Sequence, residues 1–260
     1  MAYEFITVER DGPVTVVTLN RPEVMNALHS PAHHELHEAF DAFAADPEQW
    51  VAIVTGAGER AFSAGNDLKH QAGGGGMGLP ASGFAGLTER FDLTKPLIAA
   101  VNGVAMGGGF EIALACDLII AAESATFALP EPRVGLAALA GGLHRLPRQI
   151  GEKRAMGMIL TGRRVSAAEG HDLGFVNEVV PAADLMAAAR RWAAQICELS
   201  PMSIRASKEA VNLGLDAATL QAAMGAQMRY PAISAMLRSE DFKEGPMAFA
   251  QKRPPQWKSR

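Results

Sequence analysis

Apolar and β-branched residues fall in short runs through the first half of the chain, each closed by turn-forming residues, and this pattern predicts strands. Residues 4–9 and 14–19 flank Asp11-Gly12-Pro13 and read as a hairpin. Residues 51–56, 97–101 and 117–121 are further apolar runs that read as strands. Ser30-Pro31 suits an N-cap and a first helical position, and opens a predicted helix over 31–45 with Leu36, Phe40 and Phe43 on one face. Strand, turn, helix and strand alternate without a sequence repeat, which implies an α/β fold of stacked units. From about residue 141 the chain reads as mostly helical. Helices are expected over 142–150, 152–160, 166–172, 182–199, 203–214 and 216–229, with a short strand at 176–180. Pro181, Pro201 and Pro231 punctuate them. The basic tail from Lys252 to Arg260 reads as a flexible, solvated end.

Candidate chemistry gathers between residues 105 and 131. Gly107-Gly108-Gly109 precede the helix-prone run Phe110 to Ala115. Glycine lets backbone approach a ligand closely, and the first turn of a helix offers N–H groups without intrahelical partners, an end suited to a negative oxygen. Glu111 lies three positions after Gly108 and shares its helix face; Glu131 follows Pro130. Two carboxylates and a helix-end N–H are the parts needed to move protons beside a developing oxyanion. The plain alternative is a glycine-softened helix start with two solvated glutamates.

Composition narrows the classes. At 260 residues, 48% hydrophobic and 20% charged, the chain is an ordinary globular protein of one large domain or a core with an appendage. A formal charge of −4 argues against a broad nucleic-acid surface. Cys116 and Cys197 lack metal-ligand spacing and read as reduced core residues. The start Met1-Ala2-Tyr3-Glu4 shows no signal peptide, and no apolar run is long enough for a bilayer, so a cytoplasmic protein without membrane contact is expected. His33, His34 and His37 superficially suggest a metal set, but no acidic or cysteine ligand motif accompanies them, and they read as a solvated helix face. The stretch Gly73 to Gly86 lacks the Gly-Lys-Ser/Thr of a phosphate loop; it reads as flexible, either a mobile border of a site or a plain surface loop.

Several runs in order carry a resemblance: Leu19-Asn20-Arg21-Pro22 with Asn26-Ala27-Leu28, Phe62 to Leu68, Pro96 to Glu111 and Phe127 to Glu131. Gly141-Gly142, Arg145-Leu146, Leu160-Thr161-Gly162 and Gly245 to Arg253 extend it. Together they resemble the crotonase (enoyl-CoA hydratase/isomerase) superfamily over nearly the whole chain. The resemblance implies a crotonase-like spiral of ββα units over residues 1–200 and a C-terminal helical region over 201–260 that packs a homotrimer or a dimer of trimers. It also implies an acyl-CoA thioester as substrate. Coenzyme A is then part of the substrate, and no other cofactor, metal or nucleic-acid partner is expected.

By the same resemblance the backbone N–H groups of Ala64 and Gly108 hold the thioester oxygen. Glu111 takes a proton from water and Glu131 delivers one to Cα, with the two acids sharing one water. Keeping both acids favours hydration of a 2-enoyl-CoA over isomerisation, or over a catalytically silent acyl-CoA or RNA-binding scaffold. Ala27, Leu28, Ala61, Asp67 and Leu68 are expected to meet coenzyme A, while Arg21, Lys252 and Arg253 are candidates for its phosphates. Gly65, Asn66, Gly107, Pro130, Val134 and Leu139 are also expected to contact substrate, with Phe84, Phe91 and Phe110 as candidates to line the acyl pocket. Leu139 stands where hydratases carry a small residue, which could narrow the pocket, and Asn66 where many relatives have alanine. Ser82 to Glu89 and Glu244 to Ala250 narrow the likeness toward the carnitinyl-CoA dehydratase branch.

Overall fold

The computed structural model describes residues 3–76 and 78–260; Met1, Ala2 and, within the glycine-rich stretch, Met77 lie outside the described residues. The predicted hairpin forms from β1 (Ile6–Asp11) and β2 (Val14–Leu19), paired antiparallel around Gly12-Pro13. The chain then winds through paired strands: β3 (Val51–Gly56) with β4 (Ala61–Ser63), β5 (Leu97–Val101) with β6 (Val104–Met106), and β7 (Leu118–Ala122) with β8 (Thr126–Ala128). The first strand of each pair joins a six-stranded sheet in the order β1-β2-β3-β5-β7-β10, closed by β10 (Glu178–Val180). The second joins a four-stranded sheet, β4-β6-β8-β9, closed by β9 (Val165–Ser166). Each turn of the spiral thus lays a strand parallel to its predecessor in both sheets.

The central strands of the large sheet, β3, β5 and β7, are buried on both faces, which is why they are almost wholly apolar. On β3 the period-two rule divides the side chains. Val51 and Ile53 pack on α7 (Leu185–Cys197) through Leu185, Ala188, Ala189 and Ala193. Ala52 and Val54 point into the main core with Leu36, Phe40 and Phe43 of α1 (Ser30–Ala45). Along α1, Ser30 is already helical and His29 occupies the cap, so the Ser30 hydroxyl, rather than capping, donates to the Gly78 carbonyl at 3.2 Å.

The remaining helices are α2 (Leu68–Ala72), α3 (Gly108–Ala115), α4 (Gly142–Ile150), α5 (Glu152–Thr161), α6 (Ala167–Leu173), α8 (Pro201–Leu215), α9 (Leu220–Ala226), α10 (Pro231–Arg238) and α11 (Glu240–Ala250). The helix expected over 216–229 starts late because the Thr219 hydroxyl caps Ala222 N–H at 3.1 Å. The tail is docked rather than solvated: Trp257 donates to the Glu198 carbonyl at 2.9 Å, and the Lys258 N–H to Asp241 at 2.7 Å. No helix among the described residues is long and apolar enough to cross a membrane.

Candidate active site

The site grows from the start of α3, where each glycine of the triplet meets a different neighbour. Gly107 adopts φ +55°, in the left-handed region that favours glycine, and a Cβ there would sit 2.9 Å from the Glu131 carboxylate. A Cβ on Gly108 would strike the Phe84 ring at 2.5 Å, and one on Gly109 would run into the Ser63 carbonyl. Helix, strand end and loop therefore approach to backbone distance only because side chains are missing. Gly108 is the first helical residue, so its N–H has no intrahelical acceptor.

The second free amide beside Gly108 is not that of Ala64, the one the resemblance implies. The Ala64 N–H is donated to the Met25 carbonyl at 2.9 Å and is therefore occupied. The Gly65 N–H donates to the Ser63 hydroxyl oxygen at 3.1 Å. Leu28 then pairs with Asn66 as a parallel bridge: Leu28 N–H donates to the Gly65 carbonyl, and Asp67 N–H to the Leu28 carbonyl, each at 2.8 Å. That pairing turns the Asn66 N–H away from Leu28, and it bonds no backbone or side-chain acceptor among the described residues. A Cβ on Gly65 would lie 2.8 Å from the Gly108 nitrogen, so the loop of Asn66 packs directly against the helix end. The free amides at this junction are those of Asn66 and Gly108.

Glu111, in the first turn of α3, is 3% exposed. Its Oε1 accepts the Gly142 N–H at 2.8 Å at the start of α4. Burial raises its pKa to about 7. The Gly142 N–H works against that rise, the charge of Glu131 adds to it, and the Ala140 N–H and Arg145 oppose it more weakly. Glu131 is also raised by burial, with its own backbone N–H opposing, and its Oε2 is buried without a partner. Burial thus favours the protonated form of both carboxyls, and Glu111 gains or loses its proton near neutral pH.

The residues expected to contact substrate divide into two sets. Ala27, Leu28, Gly65, Asn66, Asp67 and Leu68 converge through the Leu28–Asn66 bridge, and Gly65 joins them to Gly107 and Gly108. Asp67 caps α2 through His70 N–H and pairs with Arg21 at 3.0 Å. Although burial works to raise its pKa, the His70 N–H and Arg21 hold it below the ordinary value. Ala61 is buried in β4, its carbonyl taken by the Asn26 and Asn102 amides, so only its backbone contributes. Pro130 brings Glu131 to Gly107 and also lines a cavity of about 390 Å³ with Met106, Ala128, Arg133, Gly162 and Arg164; neither acid lines it. The Val134 and Leu139 side chains are both exposed, Leu139 by 81%.

Three further expectations are corrected. Phe110 packs between Phe127 and Phe175 in the core, at ring distances of 5.2 and 5.1 Å, and Phe91 is 83% exposed; of the three aromatics only Phe84 reaches the site. Arg253 is committed to Glu244 through both terminal nitrogens. His33 is fully buried, not solvated. Asn26 escaped notice in the sequence, yet it binds the loop together: its side chain takes the Arg21 N–H and donates to the Ala57 and Ala61 carbonyls.

Comparison with known proteins agrees with this geometry. The family model described as enoyl-CoA hydratase/isomerase matches residues 9–260. A carnitinyl-CoA dehydratase of Salmonella arizonae is 45% identical over 261 residues, covering 98% of each chain. The enoyl-CoA hydratase of Mycobacterium tuberculosis H37Rv superposes with a TM-score of 0.92 at 37% identity, covering 98% of this chain and 99% of that one. The carnitinyl-CoA hydratase of Mycobacterium avium superposes at 0.78 with 42% identity and the same coverage. With two free amides set beside two acids, and likeness running over nearly the whole chain, the chain belongs to the enoyl-CoA hydratase/isomerase family.

Proposed function

We propose that this protein is a hydro-lyase that reversibly adds water across the 2,3 double bond of a 2-enoyl-CoA thioester. The observation that carries this reading is the pair of acids, buried Glu111 and half-buried Glu131, beside the unpartnered N–H of Gly108. The thioester carbonyl accepts from Gly108 and Asn66, which draws electron density from the alkene toward that oxygen and opens Cβ to water. One carboxylate takes the water's proton as the hydroxyl adds to Cβ, and the other acid's proton goes to Cα. The roles implied by the resemblance, Glu111 as base and Glu131 as acid, require Glu111 to be ionised and Glu131 protonated when substrate and water are bound. Proton transfer and hydrogen bonding account for this chemistry, so the reading calls for no cofactor beyond the coenzyme A of the substrate.

A second reading concerns the acyl group. The 45% identity to carnitinyl-CoA dehydratases favours a carnitinyl or crotonobetainyl group. The proposal extends to a spiral core over 1–200 and a helical region over 201–260 that joins three copies, because Leu215, Leu220, Met224, Met228 and Phe249 are exposed on and around its helices. A panel of enoyl-CoA and crotonobetainyl-CoA substrates, followed by loss of enoyl absorbance, tests both readings. Glu111→Gln and Glu131→Gln are each expected to lose about 10²–10⁴-fold in turnover. Near-native turnover in either variant overturns the acid assignment.

A further inference from the structure

The second half of the glycine-rich stretch is not a loose loop. Residues 82–88 are buried, and Phe84–Gly86 forms a 3₁₀ turn seated on α1. Gly86 packs so tightly that a Cβ would meet the His37 backbone nitrogen. Arg90 fastens the segment further by donating to the Gly86 and His37 carbonyls and pairing with Asp41 at 2.7 Å. On its other side, Arg145 of α4 donates to the Thr88 carbonyl at 2.7 Å. The strap therefore bridges the first helix and the helix whose N-terminus holds Glu111.

Two features of this strap have no evident structural purpose. Ala85 stands at φ +56°, a conformation an alanine side chain rarely adopts. Its N–H is donated to His33 Nδ1 at 3.0 Å. Because Nδ1 accepts, the neutral imidazole carries its proton on Nε2, and Nε2 is buried without a partner. Burial holds His33 down to about 4, which keeps the ring neutral and able to accept. The imidazole also meets the Phe84 ring edge-on at 4.5 Å. An unfavourable backbone angle and an orphaned donor are thus tolerated at one spot, and what they hold in place is Phe84, whose ring edge covers Gly108.

We propose that Phe84 is a specificity-determining wall of the acyl site and that His33 is the positioning residue that holds it against the oxyanion amide of Gly108. The inference rests on the hydratase reading for the identity of the ligand. His33 touches no reacting atom; it acts through the Ala85 amide and the Phe84 ring. The wall stands beside the thioester end of the site, so it governs how much bulk is accepted near Cα and Cβ, before overall chain length.

The test compares specificity constants for crotonyl-CoA and for a 2-methyl-branched enoyl-CoA in four proteins: wild type, Phe84→Leu, His33→Leu and His33→Asn. Phe84→Leu is expected to move the ratio toward the branched substrate by about 10-fold or more, the scale of one added carbon against a pocket wall. His33→Leu is expected to move it the same way, and its kcat for crotonyl-CoA to fall more than its KM rises. His33→Asn, whose amide oxygen can take the Ala85 N–H, is expected to return the ratio to within about 3-fold of wild type. Amide hydrogen exchange supplies a readout free of turnover: exchange at Ala85 accelerates in His33→Leu and is slow again in His33→Asn. An unchanged ratio in Phe84→Leu overturns the wall. A shift in His33→Leu that His33→Asn fails to reverse, or exchange at Ala85 unaltered by either, overturns the positioning role. If the wild type hydrates no enoyl-CoA, the hydratase reading fails; the ratio of affinities for the two CoA thioesters, with exchange at Ala85, then decides the wall and its support.

Discussion

Replacing Glu111 with glutamine separates what this residue does for chemistry from what it demands of the fold. The glutamine side chain keeps an oxygen for the Gly142 N–H, which Glu111 accepts at 2.8 Å, but it cannot ionise. In the wild type the carboxyl titrates at about 7 in the fold and at 4.5 when unfolded. Between those values the folded chain holds a proton that the unfolded chain has released, so stability falls as pH rises through this window. A rise from 4.5 to about 7, at 1.36 kcal/mol for each pH unit, makes the ionised residue a burden of about 3 kcal/mol above neutral pH. At roughly 2 °C per kcal/mol for a chain of this size, that is about 6 °C in Tm. Thermal melts of both proteins between pH 4.5 and 8.5 measure it. The Tm advantage of Glu111→Gln should be smallest at the acid end, climb through neutrality and level off near pH 8. Because the charge of Glu131 contributes to the rise, the climb should level off at lower pH and at a smaller Tm difference when both proteins also carry Glu131→Gln. A Tm difference that stays flat with pH would mean that Glu111 is solvated or paired in the folded protein, and the raised pKa of Glu111 would have to be abandoned.

Other outcomes follow from single contacts. Replacing the backbone amide of Asn66 by an ester removes its N–H and leaves its side chain; hydration of crotonyl-CoA should drop by about 10²–10³-fold, whereas the same change at Ala64 should act on stability through the lost Met25 bond. Gly108→Ala drives a methyl into the Phe84 ring, 2.5 Å from the new Cβ, so turnover should fall at least about 10-fold with far-UV circular dichroism unchanged. Asp67→Ala leaves the mostly buried Arg21 without its anion and α2 without its cap, and urea denaturation should show a loss of about 2–3 kcal/mol.

The inner strands of the large sheet were legible because each is a run of five or six mostly apolar residues. The small sheet was not: β4, β6 and β8 have three residues each, too few for a periodic signal, and their partners lie a whole spiral turn away. The glycine triplet and the two acids could be picked out locally, since their use depends on helix geometry alone. Choosing between Ala64 and Asn66 could not be done locally. Both flank Gly65 in a short turn, and the choice depends on the Met25 carbonyl, remote in sequence, consuming one of the two amides. His33 was misread for the same reason: its burial comes from Phe84–Gly86 folding over α1, and a run of glycines and small residues carries no sign that it will pack.

The contacts made by the start of α3 also fix how the site responds to change. Gly107 abuts Glu131, Gly108 abuts Phe84 and the Gly65 turn, Gly109 abuts Ser63, and Glu111 on the same helix is held by Gly142. One helix start therefore sets the Gly108 amide, the Phe84 ring and both carboxyls in a single frame. A substitution at any of these contacts displaces the others, so the losses should not add: Gly108→Ala with Glu111→Gln should lose less activity than the product of the two single losses. Independent parts would multiply, and measuring kcat/KM for the two single variants and the double variant tells a shared frame from a collection of separate groups.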